Sequence, residues 1–279
     1  MVKTSVIIAV CVTLFISLIL PVLGCIVYGL KNKRKGIWTA WFLGAAGFVV
    51  FQLIIRIPVL NVLSLNQGFL LLAQNHYILY SFILAFSAAL FEVAGRFLAA
   101  RIMNKKLTFE KGVAAGLGHG GIEAMAIIGM VYVNNLIYIM MINSGSFDSV
   151  VAQTAALGAD TSALLSVKDA LVNSNALMFY MAGYERIVTM IAHTALSLLV
   201  CYFVSRKKDL RGIVICLGCH CLMDFVSPIV NGMATGYLGN RISQTTASII
   251  VYLWLTIVAA VAIVAIFKIK KCWKESIEQ

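Results

Sequence analysis

The sequence predicts an all-α membrane protein, a polytopic bundle of about seven spanning helices with the N-terminus outside and the C-terminus cytoplasmic. Three observations predict it. Of the 279 residues, 61% are hydrophobic and only 12% charged, about half the charged share of a soluble domain. Apolar runs recur near residues 5–30, 37–57, 77–100, 112–142, 177–204, 212–235 and 245–267, each reaching the ~20 residues that cross a hydrocarbon core of ~30 Å. The basic residues gather between these runs instead of spreading over them.

That gathering sets the topology. Lys31, Lys33, Arg34 and Lys35 form one cluster, and Arg101, Lys105, Lys106 and Lys111 a second. Arg206, Lys207, Lys208 and Arg211 form a third, and Lys268, Lys270, Lys271 and Lys274 a fourth. They fall in alternate loops and at the C-terminus, whereas 58–76 has no Lys or Arg, 143–176 only Lys168 and 236–244 only Arg241. An excess of Lys and Arg marks the cytoplasmic side. The net charge of +11 is therefore a positive-inside pattern facing the lipid bilayer, not a nucleic-acid surface. No hydrophilic stretch is long enough for a separate soluble domain, so residues 1–279 read as one multi-pass domain of the cell membrane.

The first run follows Lys3 and continues unbroken into the cluster at 31–35. A secretory signal has a shorter apolar core and a small-residue cleavage site, so this run is expected to stay and span. Segment 58–74 is apolar in places and is expected in the interface or re-entering the membrane. Segment 143–176, with Asp148, Asp160 and Asp169, is expected as a solvated loop more than as a lid. The seven cysteines are odd in number and suggest no disulfide framework. Cys216–His220 spells C-x-x-C-H, but inside an apolar run, which argues against haem attachment.

Four runs carry residues that do not suit lipid. A charge at the bilayer centre costs ~2.5–3.5 kcal/mol on insertion scales and usually faces the bundle interior. The third run holds Glu92 and Arg96, the fourth His119 and Glu123, the fifth Glu185, Arg186 and His193, and the sixth His220 and Asp224. Glu92/Arg96, His119/Glu123 and His220/Asp224 are i,i+4 pairs, each on one helix face. Counting ~1.5 Å per residue from the basic clusters puts Glu92, His119 and His220 roughly 12–14 Å deep and Glu123, His193 and Asp224 roughly 18–20 Å deep. Glu185 comes out roughly 30 Å deep, at the outer face. Any one pair could merely fix helix register. Three pairs and His193 in one layer is a heavy desolvation cost for packing alone, so a functional polar site is expected.

Gly116, Gly118, Gly120 and Gly121 surround His119 and are expected to open room beside it for substrate or water. The same string matches G-x-G-x-x-G, but no strand precedes it, so a dinucleotide site is rejected. Carboxylates and imidazoles together offer a general base and proton donors. The histidines could polarise a carbonyl or bind Zn²⁺. If a metal is held, His193, His220, His119 and Glu123 are its candidate ligands; the sequence leaves Zn²⁺ open, since no second histidine completes H-E-x-x-H. No other cofactor is expected.

Phe91-Glu92-Val93-Ala94-Gly95-Arg96-Phe97, then Gly118-His119-Gly120-Gly121-Ile122-Glu123, then Glu185-Arg186 with His193, then His220-Cys221-Leu222-Met223-Asp224-Phe225 resemble the YhfC family of intramembrane proteases. That family is similar to the CAAX-protease/bacteriocin-processing superfamily and to PrsW-type proteases. The resemblance covers roughly residues 85–230, and its His-Gly-Gly-Ile-Glu string is the most specific part. It implies a helical intramembrane endopeptidase, with a core near 77–235, acting on a membrane-associated protein or peptide. By that analogy Glu92 activates water and Arg96 orients it. His193 and His220 contact the scissile carbonyl or a metal, and Asp224 supports His220. His119, Glu123 and Glu185 complete the candidate catalytic set. The sequence departs from the pattern in one respect: these families commonly carry two adjacent glutamates in the first motif, and here Phe91 and Val93 flank Glu92. Glu123 as the base, or an inactive relative serving as a binding or immunity protein, stays open. A proton-coupled transporter is the rival class, although no internal repeat divides the seven runs.

Overall fold

In lipid a backbone N–H or C=O finds no water, so a spanning segment must satisfy these groups within itself. All seven apolar runs accordingly fold as helices in the computed structural model, which describes residues 1–33, 36–103, 107–239 and 241–275. In chain order these are α1 (Thr4–Asn32), α2 (Ile37–Leu63), the short α3 (Gln67–Asn75), α4 (Tyr77–Met103) and α5 (Phe109–Ser144). The short α6 (Phe147–Ala156) and α7 (Ser162–Asn173) follow, then α8 (Ala176–Ser205), α9 (Asp209–Thr235) and α10 (Gln244–Glu275). No strand occurs among the described residues. Arg34, Lys35, Lys105 and Lys106 of the basic clusters lie outside the described residues. The exposed apolar side chains, among them Phe42, Ile54, Leu98, Val214, Ile257 and Phe267, are what a surface turned to lipid requires.

Among the described residues, three long helices widen into π-helical turns, at Phe15–Ile19 in α1, Val49–Arg56 in α2 and Ala124–Gly129 in α5. A π turn bonds i to i+5, re-aims the side chains around it and is frequent at functional sites.

The helices divide into two compact units, Met1–Leu23 with Glu123–Ile187, and Gly24–Ile122 with Val188–Gln279. In the first, Val6, Val10, Tyr132, Ile139, Leu171 and Phe179 form the core. Thr13 Oγ1 and Tyr132 OH both donate to the carbonyl of Phe179, at 2.6 and 3.2 Å, fixing α1, α5 and α8 to one another by polar contacts within an apolar core. Segment 143–176 belongs to this unit and is not the solvated loop expected of it. Gly145, at φ +79°, ends α5, and two short helices follow whose Phe147 and Leu171 are each 1% exposed. Two well-placed apolar anchors outweigh the polar composition, and Lys168 pairs with Asp148 between α6 and α7.

In the second unit helices approach through small residues, as bundles do where lipid gives no hydrophobic drive for association. A Cβ at Gly118 would lie 2.0 Å from the Trp41 carbonyl oxygen, and one at Gly116 2.5 Å from Thr194 Cα. The glycines around His119 therefore do not open a space, as the sequence led us to expect. They let the backbones of α2 and α8 close on α5 and so bring other helices' side chains to His119. Segment 58–74 is helical on both sides of a turn: α2 runs on to Leu63, and Asn66 starts α3 by accepting from the Phe69 N–H at 3.2 Å. Pro228 lies inside α9. It has no N–H for the carbonyl of Asp224 four residues before, and its own carbonyl accepts from Tyr77 OH at 3.1 Å.

Candidate active site

Five helices of the second unit each bring a polar side chain to one buried point. Helix α4 supplies Glu92 and, one turn on, Arg96. Helix α5 supplies His119, α8 His193, α9 His220 and α2 Gln52. All six side chains are buried, from 0% exposure at His119 to 5% at Gln52. Glu92 is the centre. Its Oε2 accepts from His119 Nε2 at 2.9 Å and from Arg96 Nη2 at 3.1 Å. Its Oε1 accepts from Gln52 Nε2 at 3.2 Å. His193 Nδ1 and His220 Nε2 each stand 3.6 Å from Oε2.

Arg96 fixes the state of two imidazoles. A guanidinium only donates, and Arg96 offers Nη2 to His193 Nδ1 and Nη1 to His220 Nδ1, the latter at 3.3 Å. Both Nδ1 atoms must therefore be unprotonated acceptors, and both rings carry their proton on Nε2. For His220 that N–H faces Asp224 Oδ2 at 3.4 Å as well as Glu92. Ring packing holds the set. His119 and His193 stack with centroids 5.5 Å apart, His220 meets His193 edge-on at 5.3 Å, and Phe48 meets His119 edge-on at 5.3 Å. One carboxylate and one guanidinium cancel in charge, so neutral imidazoles leave the centre without a net charge to solvate.

The structure thus gathers Glu92, Arg96, His119, His193 and His220, with Asp224 beside His220 and partly exposed. Glu123 and Glu185 belong to the first unit, where Arg186 spans them, bonding Glu123 Oε1 at 3.4 Å and the neighbouring Glu185. Sequence reasoning passed over Gln52, an uncharged amide in an otherwise apolar run. It also passed over Arg56, which donates to Ser87 Oγ at 3.1 Å and to the Leu84 carbonyl at 2.8 Å. Both fall in the π-helical stretch of α2, and the available signal was their four-residue spacing.

The model of the family described as YhfC intramembrane metalloprotease matches residues 16–243. The chain belongs to the YhfC family. It is also 32% identical over 200 residues to a protein of Bacillus subtilis (strain 168) described as "Uncharacterized membrane protein YhfC", across 70% of this chain and 74% of that one. No solved structure matches it. The region matched to the YhfC model contains the whole cluster, from Gln52 to Asp224.

The family description raises a metal, and the residues can be tested for one. Glu92, His119 and His193 each present a ligand atom, all within 4.8 Å of one another, and two imidazoles with a carboxylate are a donor set that Zn²⁺ accepts in catalytic sites. The set fits in chemistry and in reach. Arg96 already donates to Glu92 Oε2 and His193 Nδ1, so in this YhfC chain the guanidinium and a metal would draw on the same atoms.

Proposed function

We propose that the cluster around Glu92 hydrolyses a peptide bond of a membrane-associated protein or peptide within the bilayer. The observation that carries this reading is a single buried carboxylate reached by three imidazoles, a guanidinium and an amide from five helices. Packing alone does not call for so much desolvated polarity at one point. The family's description as a metalloprotease supports the same reaction class.

The chain's residues divide the work as follows. Water hydrogen-bonded to Glu92 gives up a proton to that carboxylate as its oxygen bonds to the carbonyl carbon. The carbonyl electron pair moves onto oxygen, where the Nε2–H groups of His193 and His220 donate to the developing charge. Arg96, by holding both Nδ1 atoms as acceptors, keeps those N–H groups on the far edges of the rings. The tetrahedral species collapses with cleavage of the C–N bond, and the leaving amine takes the proton back from Glu92. Gln52 Oε1 and Arg96 Nε are buried without a hydrogen-bond partner among the described residues. A buried polar atom in that state costs ~1–3 kcal/mol, so both mark where a polar substrate group or water is expected. If Zn²⁺ is bound, Glu92, His119 and His193 would hold it, and it would polarise the carbonyl and acidify water.

The test is co-expression with membrane-anchored reporter proteins. Wild type should cut a reporter that Glu92→Gln and His220→Ala leave intact at equal accumulation. Purified wild type that cuts none of them but dissipates a proton gradient in liposomes would instead establish transport. Activity that survives a chelator, in protein free of bound metal, would place catalysis on the side chains alone.

A further inference from the structure

Away from the Glu92 cluster, a cleft of about 540 Å³ opens where α8 ends, α9 begins and α10 ends, lined by Tyr202, Phe203, Arg206, Lys208, Arg211 and Glu275 among others. We propose that it binds the phosphate of an anionic phospholipid headgroup.

Charge is the first reason. Three cations line the cleft, and none of them has an ion-pair partner among the described residues. Of the two nearby carboxylates, Asp209 pairs with Arg101, and Glu275, the one acid lining the cleft beside three cations, lies 3.9 Å from Lys271.

Preorganisation is the second. The Arg206 guanidinium lies 5.3 Å from the centroid of the Tyr202 ring, and that of Arg211 lies 5.6 Å from Phe203. Stacking holds a guanidinium plane while leaving its N–H edge to donate. Arg206 is fixed further by donating to the Cys272 carbonyl at 3.4 Å. The turn that carries Lys208 is also built: the Phe203 carbonyl accepts from the N–H groups of Arg206 and Lys208, at 3.1 and 2.9 Å, with Lys207 at φ +56°. Gly212 lets α9 start against the Phe203 ring, since a Cβ there would lie 2.7 Å from Phe203 Cβ. Below, Tyr202 packs on the buried Trp273. Aromatic walls and fixed arginines make a shaped receptor, which a loop of mobile lysines is not.

Position is the third. The cleft sits at the ends of three of the seven candidate spans, at the level where a bilayer presents headgroup phosphates. Basic pockets between spanning helices at that level bind phosphorylated headgroups, each cation contributing ~1 kcal/mol.

The experiment uses the full chain in mild detergent. Phosphatidylglycerol, phosphatidylcholine and inorganic phosphate are titrated separately, with retained lipid read by native mass spectrometry and stability by thermal unfolding. Phosphatidylglycerol should be retained and raise the Tm, with a dependence on salt, and phosphatidylcholine should do neither. Arg206→Gln with Arg211→Gln should weaken retention about 5-fold per cation removed, while Lys31→Gln, in another basic cluster, should leave it unchanged. If the double variant does not fold, Lys208→Gln gives the single-cation loss in an exposed side chain. Equal retention of both lipids, equal retention by the variants, or the same Tm gain from inorganic phosphate at matched concentration would overturn the proposal. This outcome is independent of whether the protein cleaves peptides.

Discussion

Among the described residues two carboxylate–guanidinium pairs are buried, and their surroundings differ. Glu92–Arg96, on one helix, is reached by three imidazoles and an amide. Glu123–Arg186 is joined by a second carboxylate, Glu185, whose side chain is 37% exposed. The ion pair itself is therefore not the sign of chemistry. In one place it lies among imidazoles that come from three other helices. In the other an arginine bonds two acids. Because Phe91 and Val93 flank Glu92 where a second glutamate is expected, the proposed base is Glu92 and its rival is Glu123.

The largest expected effect tests that choice directly. Glu92→Gln should reduce reporter cleavage by about 10²–10⁴-fold, the usual contribution of a positioned acid or base. Glu123→Gln should change cleavage by less than about tenfold at equal protein level. A deeper loss from Glu123→Gln than from Glu92→Gln would reverse the assignment.

Arg96 comes next, and it separates packing from chemistry. Arg96→Gln leaves a buried carboxylate without its charge partner, a change that costs about 3–5 kcal/mol and should show as a lower Tm in detergent. The same substitution removes the cation that shares acceptors with any metal. Binding of Co²⁺, followed by its visible absorption, should tighten at least tenfold over wild type even if cleavage is lost. Unchanged or weaker Co²⁺ binding would show that the guanidinium and the metal do not compete. Arg186→Gln leaves the buried Glu123 without its guanidinium and should lower the Tm as well.

How much of this could be read from the sequence follows from the same contrast. The seven spans were legible because hydropathy in lipid is a strong constraint and helices are its only local solution. Glu92, Arg96, His119, His193 and His220 were legible because a titratable group in an apolar run is conspicuous and helical spacing gives its depth. Gln52 was not, since a neutral amide carries no such signal. The π turn at Val49–Arg56 also leaves no mark in a hydropathy pattern. The partner of Glu123 was hidden as well: Arg186 was visible as an intramembrane cation, but spacing within α8 says nothing about which helix it faces. Segment 143–176 was misread because its order rests on two buried anchors, Phe147 and Leu171, too few to produce a periodic pattern.

Gln52 gives a smaller effect with a diagnostic shape. Its Nε2 holds Glu92 Oε1 and its Oε1 is buried without a partner among the described residues. Gln52→Ala should cost about 1.5–3 kcal/mol, as a hydrogen bond to a charged group does. If the amide positions Glu92 for the reaction, kcat should fall about tenfold with KM nearly constant, and Gln52→Glu should not restore it, because a second carboxylate would repel Glu92. A loss of stability with kcat unchanged would make Gln52 a packing residue only.

The smallest effect lies at a carboxylate with neither burial nor a cation. Asp160 is exposed, and its two oxygens accept from the Ser162 N–H at 2.8 Å and the Ser162 hydroxyl at 2.7 Å. These hydrogen bonds, the backbone one foremost, hold its pKa below the ordinary aspartate value. A pKa lowered in the folded state means that the stabilisation is fully present above the unfolded value, ~3.9, and is lost as pH falls through the lower folded value. The Tm difference between wild type and Asp160→Ala should therefore be small and constant from neutral pH down to about 4, then shrink on further acidification. A difference that persists unchanged below that range would mean that the charge on Asp160 has no part in starting α7. A charge that orders a helix end at the surface would then have no counterpart here to the carboxylate that gathers five helices in the interior.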